Sequence, residues 1–257
     1  MTDRFVLHGT PHSQFTYKVA LMLALCGAKF SFRYVSFRAG THRTPAFRAI
    51  SRFGQVPVLQ HGGRALVQAG AILEYLSELL GRFGGRDASQ RQDIREWLFW
   101  DTDRLGPPIY GSYGLKLGAM GLLPLSGDPA VVANYRGRAS TALAILDGRL
   151  AGRTFLVGEA LTIADIACFG DVAFAVRCDI DIAQWPNVSA WAGRLAQRPQ
   201  ILARDMVVET EHPETGRFRT LGVPVKMSET PGGVRRPAPR LGEHTEEVLR
   251  ARDGKPR

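Results

Sequence analysis

Apolar and polar positions in the first eighty residues switch repeatedly between two periods. RFVLHG is an apolar run of strand length, and FTYKVALMLALCGA repeats apolar residues at helical spacing until Gly27 offers a C-cap. KFSFRYVSF then alternates, with Phe30, Phe32 and Tyr34 on one face and Ser31, Arg33 and Val35 on the other, as a strand does. Strand, helix and strand in that order predict a parallel βαβ unit. TPAFRAIS reads as a short helix. FGQVPVLQHGGRALVQAGAILEYL reads as two strands around a Gly-Gly turn, followed by an amphipathic helix. The expected succession is β-α-β-α-β-β-α.

GRFGGRDAS, Gly81 to Ser89, breaks this composition and reads as a linker. Beyond it the strand signal nearly vanishes. Helices are expected at about Gln90 to Leu105, Pro129 to Leu150, Ile163 to Arg177 and Val188 to Gln197, separated by Gly/Pro stretches such as GPPIYGSYG. From about Met206 the apolar period fades and Pro, Gly, Arg and Glu dominate. The chain therefore divides into an α/β domain over residues 1–80, a linker over 81–89, an all-helical domain over 90–205, and an extended or partly disordered tail over 206–257 in which TEEVLRAR has the pattern of a short helix.

A length of 257 residues with 45% hydrophobic content suffices for two small cores. The net charge of +9 raises the question of a polyanion, but the basic residues are scattered, and no zinc-finger, ribonucleoprotein or helix-turn-helix pattern accompanies them. A small anionic ligand satisfies the same charge. No run has the length of a membrane helix, and MTDRFVLHG lacks the pattern of a signal peptide, so a soluble, cytoplasmic protein is expected. Cys26, Cys168 and Cys178 lie in apolar helical segments without metal-ligand spacing; they read as structural thiols, and no metal is expected.

The proline in the strand GQVPVL is the first chemical clue. Proline cannot donate to a ladder, so Pro57 belongs on an edge or where the backbone faces outward, and an X-Pro bond is the one peptide that adopts cis at low cost. A cis Val56-Pro57 bond turns the Val56 amide and carbonyl away from the sheet, where they suit an extended peptide. Gln68, Ala69 and Gly70 open the next helix, whose free amides suit a carboxylate. A plain hairpin with an edge proline satisfies the same pattern.

GQVPVL, the short turn, a strand, Gln68 and AILEYL resemble the glutathione-binding half of the cytosolic glutathione S-transferases, with their pattern NP-x-GQVPVL-x-x-GG-x-x-L-x-[EQ]S-x-AI-x-x-YL. FLVGEALTIADIACFGDV is similar to the buried helix of the family's second domain, with Thr162 and Asp165 as its capping box. The resemblance runs from about Arg4 to Arg204. It implies a thioredoxin-like N-terminal domain, a helical-bundle C-terminal domain, a homodimer, and glutathione as a substrate. It further implies that Val56, before the cis proline Pro57 and beside Gln55, pairs with the cysteinyl backbone of glutathione, and that Gln68 and Ala69 receive the γ-glutamyl carboxylate.

Glutathione transfer needs a thiolate, and a free thiol ionises only near pH 8.5, so the site has to stabilise the anion. The donor is expected in the loop LHGTPHSQFTYKV, whose hydroxyls are Thr10, Ser13, Thr16 and Tyr17. Serine-type members carry patterns such as S-x-N-x-[YW]-[KR]-V, and aligning Tyr17, Lys18 and Val19 with the last three positions implies Ser13 as the catalytic serine. Ser13 is equally suited to N-cap the helix. The loop has no cysteine, which disfavours a protein thiolate and mixed-disulfide chemistry. His42, five residues before Phe47, resembles a histidine that family members place near the glycine carboxylate, with Arg43 as the neighbouring option. Trp97, Trp100, Tyr110 and Tyr113 are candidates for an electrophile pocket, although aromatic residues at these spacings also fill cores.

Three departures from the pattern stand out. Ala69 replaces the serine whose hydroxyl would bond the γ-glutamyl carboxylate, and since a hydrogen bond to a charged group contributes about 1.5 to 3 kcal/mol, affinity falls by roughly tenfold or more. Phe15 replaces a small polar residue, and Ser51-Arg52 replaces Asn-Pro. The tail from His212 to Leu249 resembles instead the C-terminal end of class III CoA-transferases, through the G-x-P-x-K-x-S-x-TP pattern ending at Pro231 and LGEHT-x-x-VL from Leu241. The acyl-carrying aspartate of those enzymes lies far upstream, in a region this chain lacks, so CoA transfer is not expected. The expectation is a glutathione S-transferase conjugating glutathione to a small apolar electrophile in a detoxification role. The alternatives are a non-catalytic adaptor on the same fold, or an accessory protein linked to acyl-CoA metabolism through its tail, for which a CoA-transferase is the candidate partner.

Overall fold

The first alternating stretch forms one four-stranded sheet. In the computed structural model, which describes residues 5–121, 123, 125, 127–198, 207–212 and 216–221, the strands are β1 (Phe5–Gly9), β2 (Phe30–Tyr34), β3 (Val58–His61) and β4 (Arg64–Val67), in the order β2-β1-β3-β4. β1 and β2 run parallel; β3 is antiparallel to both β1 and β4. The helices α1 (Gln14–Leu25), α2 (Pro45–Ile50) and α3 (Ala69–Leu80) complete the expected β-α-β-α-β-β-α order of a thioredoxin-like domain. Strand alternation sorts the apolar side chains between two clusters: Leu59 joins Phe5, Leu7, Ile72 and Leu73, while its neighbour Val58 joins Val35, Phe47 and Val67.

Helix α1 has no solvent face. Every residue from Gln14 to Leu25 is buried except the half-buried Phe15, because α1 lies between the sheet domain and helix α7 (Ile163–Ala175). Helix α7 is likewise buried along nearly its whole length. The expected capping box starts it: Asp165 accepts from the backbone N–H of Thr162 at 3.0 Å, and its other oxygen accepts from the Leu156 amide and the Trp191 indole. Helices α4 (Ala88–Trp100), α5 (Gly106–Ala119) and α8 (Pro186–Ala196) pack against it, and α6 (Pro129–Leu150) packs on α5 and α8.

GPPIYGSYG is not a break between helices. It is most of α5, joined to α4 through a π turn at Asp101–Leu105. Pro107 and Pro108 fall in the first helical turn, where a missing N–H is tolerated, and the wider turn before them absorbs the shift in register. The glycines answer to packing: a Cβ at Gly111 would strike the Tyr135 ring, and one at Gly118 would strike the Leu125 backbone. A two-stranded antiparallel hairpin, β5 (Val207–His212) and β6 (Gly216–Leu221), occupies a stretch where the sequence pattern gives no strand signal. The CoA-transferase-like motifs from Gly222 onward and the expected helix at TEEVLRAR lie outside the described residues. Among the described residues no helix is long and apolar enough to cross a membrane.

The two domains meet on a buried charge cluster. Lys18 of α1, 1% exposed, donates to Asp101 at 2.6 Å and to Asp171 of α7 at 3.0 Å. Its stem lies against Gly170, in space a Cβ would occupy. Burial works to lower the pKa of Lys18, but the two carboxylates outweigh it and push it up. Burial, then the neighbouring Asp101, raises Asp171 well above the carboxylate range, against the pull of the Lys18 ammonium that both carboxyls share. Lys18→Ala strands two buried carboxyls and is expected to lower unfolding stability by about 3–5 kcal/mol in urea denaturation, with most of the loss recovered when Asp101→Asn and Asp171→Asn are added.

Candidate active site

Strand register brings three segments to one end of the sheet. Val58 at the start of β3 pairs with His8 near the end of β1 on one side and with Val67 at the end of β4 on the other. The loop after β1, which carries Ser13, therefore lies beside Val56 and Pro57, and both lie beside Gln68 and Ala69 at the start of α3. The Val56-Pro57 bond is cis. Among the described residues the Val56 amide and carbonyl form no hydrogen bond, so both are open to an extended ligand.

Ser51, the departure from Asn-Pro, holds this loop. Its fully buried Oγ donates to the Gln55 carbonyl at 2.9 Å and accepts from the Gln55 amide at 3.0 Å, fixing the turn that enters Val56. The Gln68 side chain donates to Gln55 Oε1 at 3.1 Å, tying that turn to the start of α3. Gln68 itself has φ 71° and ψ 116°, a conformation that costs a non-glycine residue roughly 1–3 kcal/mol and is found mainly at functional positions. No side chain caps α3, which leaves its first amides free, and Ala69 is buried behind them.

Ser13 caps α1. Its Oγ accepts from the Thr16 amide at 3.2 Å, and it is 8% exposed. A hydroxyl that accepts in this way keeps its own hydrogen to donate, so capping and thiolate binding are compatible in one residue. The positive end of α1 adds to the same point. His42 lies half-buried, its ring edge-on to Phe37 at 4.8 Å, with Nδ1 buried and unpartnered. Desolvation, then Arg43 and Arg48, pushes its pKa below the ordinary value, so it is neutral at pH 7 and the guanidiniums carry the positive charge here. Arg43 is exposed. Arg48, which motif reading passes over, lies against Gly54 where a Cβ would sit and reaches toward the Gln55 turn.

A second signal was legible and missed: between Asp3 and Glu74 there is no Asp or Glu, while Lys29, Arg33, Arg38, Arg43, Arg48, Arg52 and Arg64 are all exposed. Of these, Arg43, Arg48 and Arg52 lie in the segment that leads into the Gln55 turn, so this side of the site carries positive charge, which favours an anionic tripeptide and a thiolate.

The four aromatic candidates separate into two pairs. Tyr110 and Tyr113, one turn apart on α5, both face the first loop: Tyr110 lies 6.0 Å from the Phe15 ring, and Tyr113 Oη lies 3.1 Å from His12 Nδ1. Trp97 and Trp100 stack edge-on at 5.0 Å, and Arg149 covers Trp97 from α6, contacts made within the helical domain.

Family models place the chain. The glutathione S-transferase N-terminal domain matches residues 4–78 and the C-terminal domain matches 115–199. The disulfide-bond oxidoreductase YfcG of Escherichia coli is 30% identical over 71% of this chain and 86% of its own. Among solved structures, a possible glutathione S-transferase from Rhodopseudomonas palustris superposes with a TM-score of 0.71 at 31% identity, covering 76% of this chain and 87% of that one. A glutathione transferase from Pseudomonas putida, solved with one glutathione disulfide bound per subunit, gives 0.69 at 26%, covering 78% and 90%. The chain belongs to the glutathione S-transferase family. Residues 185–245 also match the CoA-transferase family III model, which begins inside the helical domain and runs into the tail.

His12 reports on this geometry. Desolvation, then repulsion from Arg177, lowers its pKa from 6.5, so its imidazole should titrate below that value by NMR, and Arg177→Gln should move the midpoint back up.

Proposed function

We propose that the protein is a serine-type glutathione S-transferase that presents the glutathione thiolate to a small electrophile. The observation that carries the reading is the convergence, set by the pairing of Val58 with both His8 and Val67, of a hydroxyl, an unpaired backbone dock and a free helix start. The Val56 amide and carbonyl hold the cysteinyl unit in strand fashion. The amides opening α3, with Gln68, receive the γ-glutamyl carboxylate. His42, Arg43 and Arg48 face the glycine carboxylate. Ser13 Oγ–H then donates to the cysteinyl sulfur, favouring its ionisation together with the α1 dipole. The thiolate forms a C–S bond as the leaving group departs with its electron pair, and most of the rate gain comes from holding a ready nucleophile beside its target.

A second reading draws on the disulfide-bond oxidoreductase among the relatives. The absence of cysteine from the first loop does not oppose it when the attacking thiol is glutathione's own. One glutathione thiolate opens a substrate disulfide and releases a thiolate; a second attacks the mixed disulfide, giving glutathione disulfide and the second thiol. The two readings share Ser13 and differ in the acceptor.

Calorimetric titration with glutathione should give micromolar to low-millimolar binding, tightened roughly tenfold by Ala69→Ser through the restored hydrogen bond. Ser13→Ala should cost about 1 kcal/mol of stability as a lost cap, yet lower turnover by a hundredfold or so with a folded protein. No binding by the unaltered protein or by Ala69→Ser would falsify both readings. Assays with 1-chloro-2,4-dinitrobenzene and with hydroxyethyl disulfide separate conjugation from disulfide exchange.

The cationic face generates a further expectation. Raising salt from about 0.02 M to about 0.3 M should raise KM for glutathione severalfold with kcat little changed, because screening weakens the attraction of exposed arginines for an anionic peptide.

A further inference from the structure

Helix α5, the end of α7 and the first loop enclose an unpaired cation. Arg177, half-exposed in the turn after α7, has its guanidinium over the Phe174 ring at 4.9 Å. Tyr113 stands edge-on to the same ring at 5.5 Å and meets His12 through its hydroxyl. Tyr17 packs on Phe174 from α1 at 6.0 Å, with a buried hydroxyl that has no partner. Asp179, two residues on, pairs with Lys116 at 2.7 Å, and Asp171 of the same helix and Asp101 hold Lys18. Among the described residues no carboxylate pairs with Arg177. Next to it, the exposed Tyr110 and half-buried Phe15 form an apolar shelf beside Ser13.

A guanidinium left uncompensated against an aromatic cluster, with tyrosine and histidine hydrogen-bonding groups beside it, is set up for a planar oxyanion. Its fork matches a carboxylate through two parallel N–H bonds, whereas one positive charge only partly balances a phosphate dianion. We propose that the acceptor substrate carries a carboxylate, held by Arg177 with help from Tyr113 and His12, while its apolar electrophilic body rests on Phe15 and Tyr110. This rests on the reading that the glutathione thiolate stands at Ser13, and it narrows the acceptor to aromatic or unsaturated carboxylic acids. With an aryl chloride the sulfur bonds to the ring carbon, chloride leaves with the C–Cl pair, and the thiol proton passes to solvent.

The test uses the full chain with 4-chloro-3-nitrobenzoate and its neutral 4-chloro-3-nitrobenzamide, with rates divided by the uncatalysed rate of each. Equilibrium binding of both compounds is measured separately from turnover. Binding and normalised kcat/KM should favour the acid by at least about tenfold, as a charge-assisted hydrogen bond supports. Arg177→Gln should bring that ratio close to one and Arg177→Glu should reverse it, with glutathione affinity unchanged in both. An acid bound no better than the amide, or a preference that survives both substitutions, overturns the proposal. Should neither compound be conjugated, the binding ratio still decides the anion site, and the loss counts against conjugation alone. Equal turnover of both compounds with intact glutathione binding counts against the anion site alone.

Discussion

The contact between Lys18 and its two aspartates sets where everything else can stand. A buried ion cluster of this kind adds little net stability over an apolar replacement, since desolvation of three charged groups offsets most of the attraction. Its effect is on position. An apolar interface between α1 and α7 would tolerate sliding by a side chain's width, whereas Lys18 must meet Asp101 and Asp171 together or leave charges unpaired in a dry interior. Ser13 begins the same helix, little more than one turn before Lys18, so the charge lock also fixes the candidate nucleophile's donor relative to Tyr113 and Arg177 of the helical domain.

Small residues make that lock possible. Gly170 gives the Lys18 stem room to lie along α7, and Gly106 brings the start of α5 close to Asp171 and to the Asp101 carbonyl. Gln14 donates to the Gly106 carbonyl at 3.2 Å, a second tie between α1 and α5. The π turn before Gly106 has the same logic: it rotates Asp101 inward to Lys18 and still delivers Tyr110 and Tyr113 to the first loop.

Local patterns carried the α/β half of the fold into the sequence, because period-two and period-3.6 stretches there are short and cleanly separated by Gly27, the Gly62-Gly63 turn and Gly81. The capping box at Thr162 and Asp165 was legible for the same reason: its partners are three residues apart. Lys18 was not legible as a buried cation. Its partners lie 83 and 153 residues away, and a lysine in an apolar helical run ordinarily marks the solvent edge. Helix α5 was hidden because its glycines and prolines serve contacts with Tyr135 and Leu125 and a tolerant first turn, none of which the local pattern encodes. Of the site, the motif-borne residues Ser13, Val56, Pro57, Gln68 and Ala69 come together. Arg48 beside the Gln55 turn, and Arg177 in the proposed acceptor site, needed the tertiary structure.

The departures from the family pattern take on a different weight once the geometry is known. Ser51 in place of asparagine keeps the GQVP turn closed with two bonds from one hydroxyl, so that change is structural and compensated. Ala69 has no hydroxyl, so in the proposed reading the backbone amides, Gln68 and nearby arginines are left to hold the carboxylate. Those are long-range or shared contributions, which favour anions in general more than one carboxylate in a fixed pose. A strained backbone at Gln68 is therefore informative. Its φ of 71° is one that glycine adopts at lower cost, yet the position holds glutamine. The strained Gln68, the unpaired Val56 groups and the arginines leading into the Gln55 turn together favour the proposed reading of a site for a peptide-like anion.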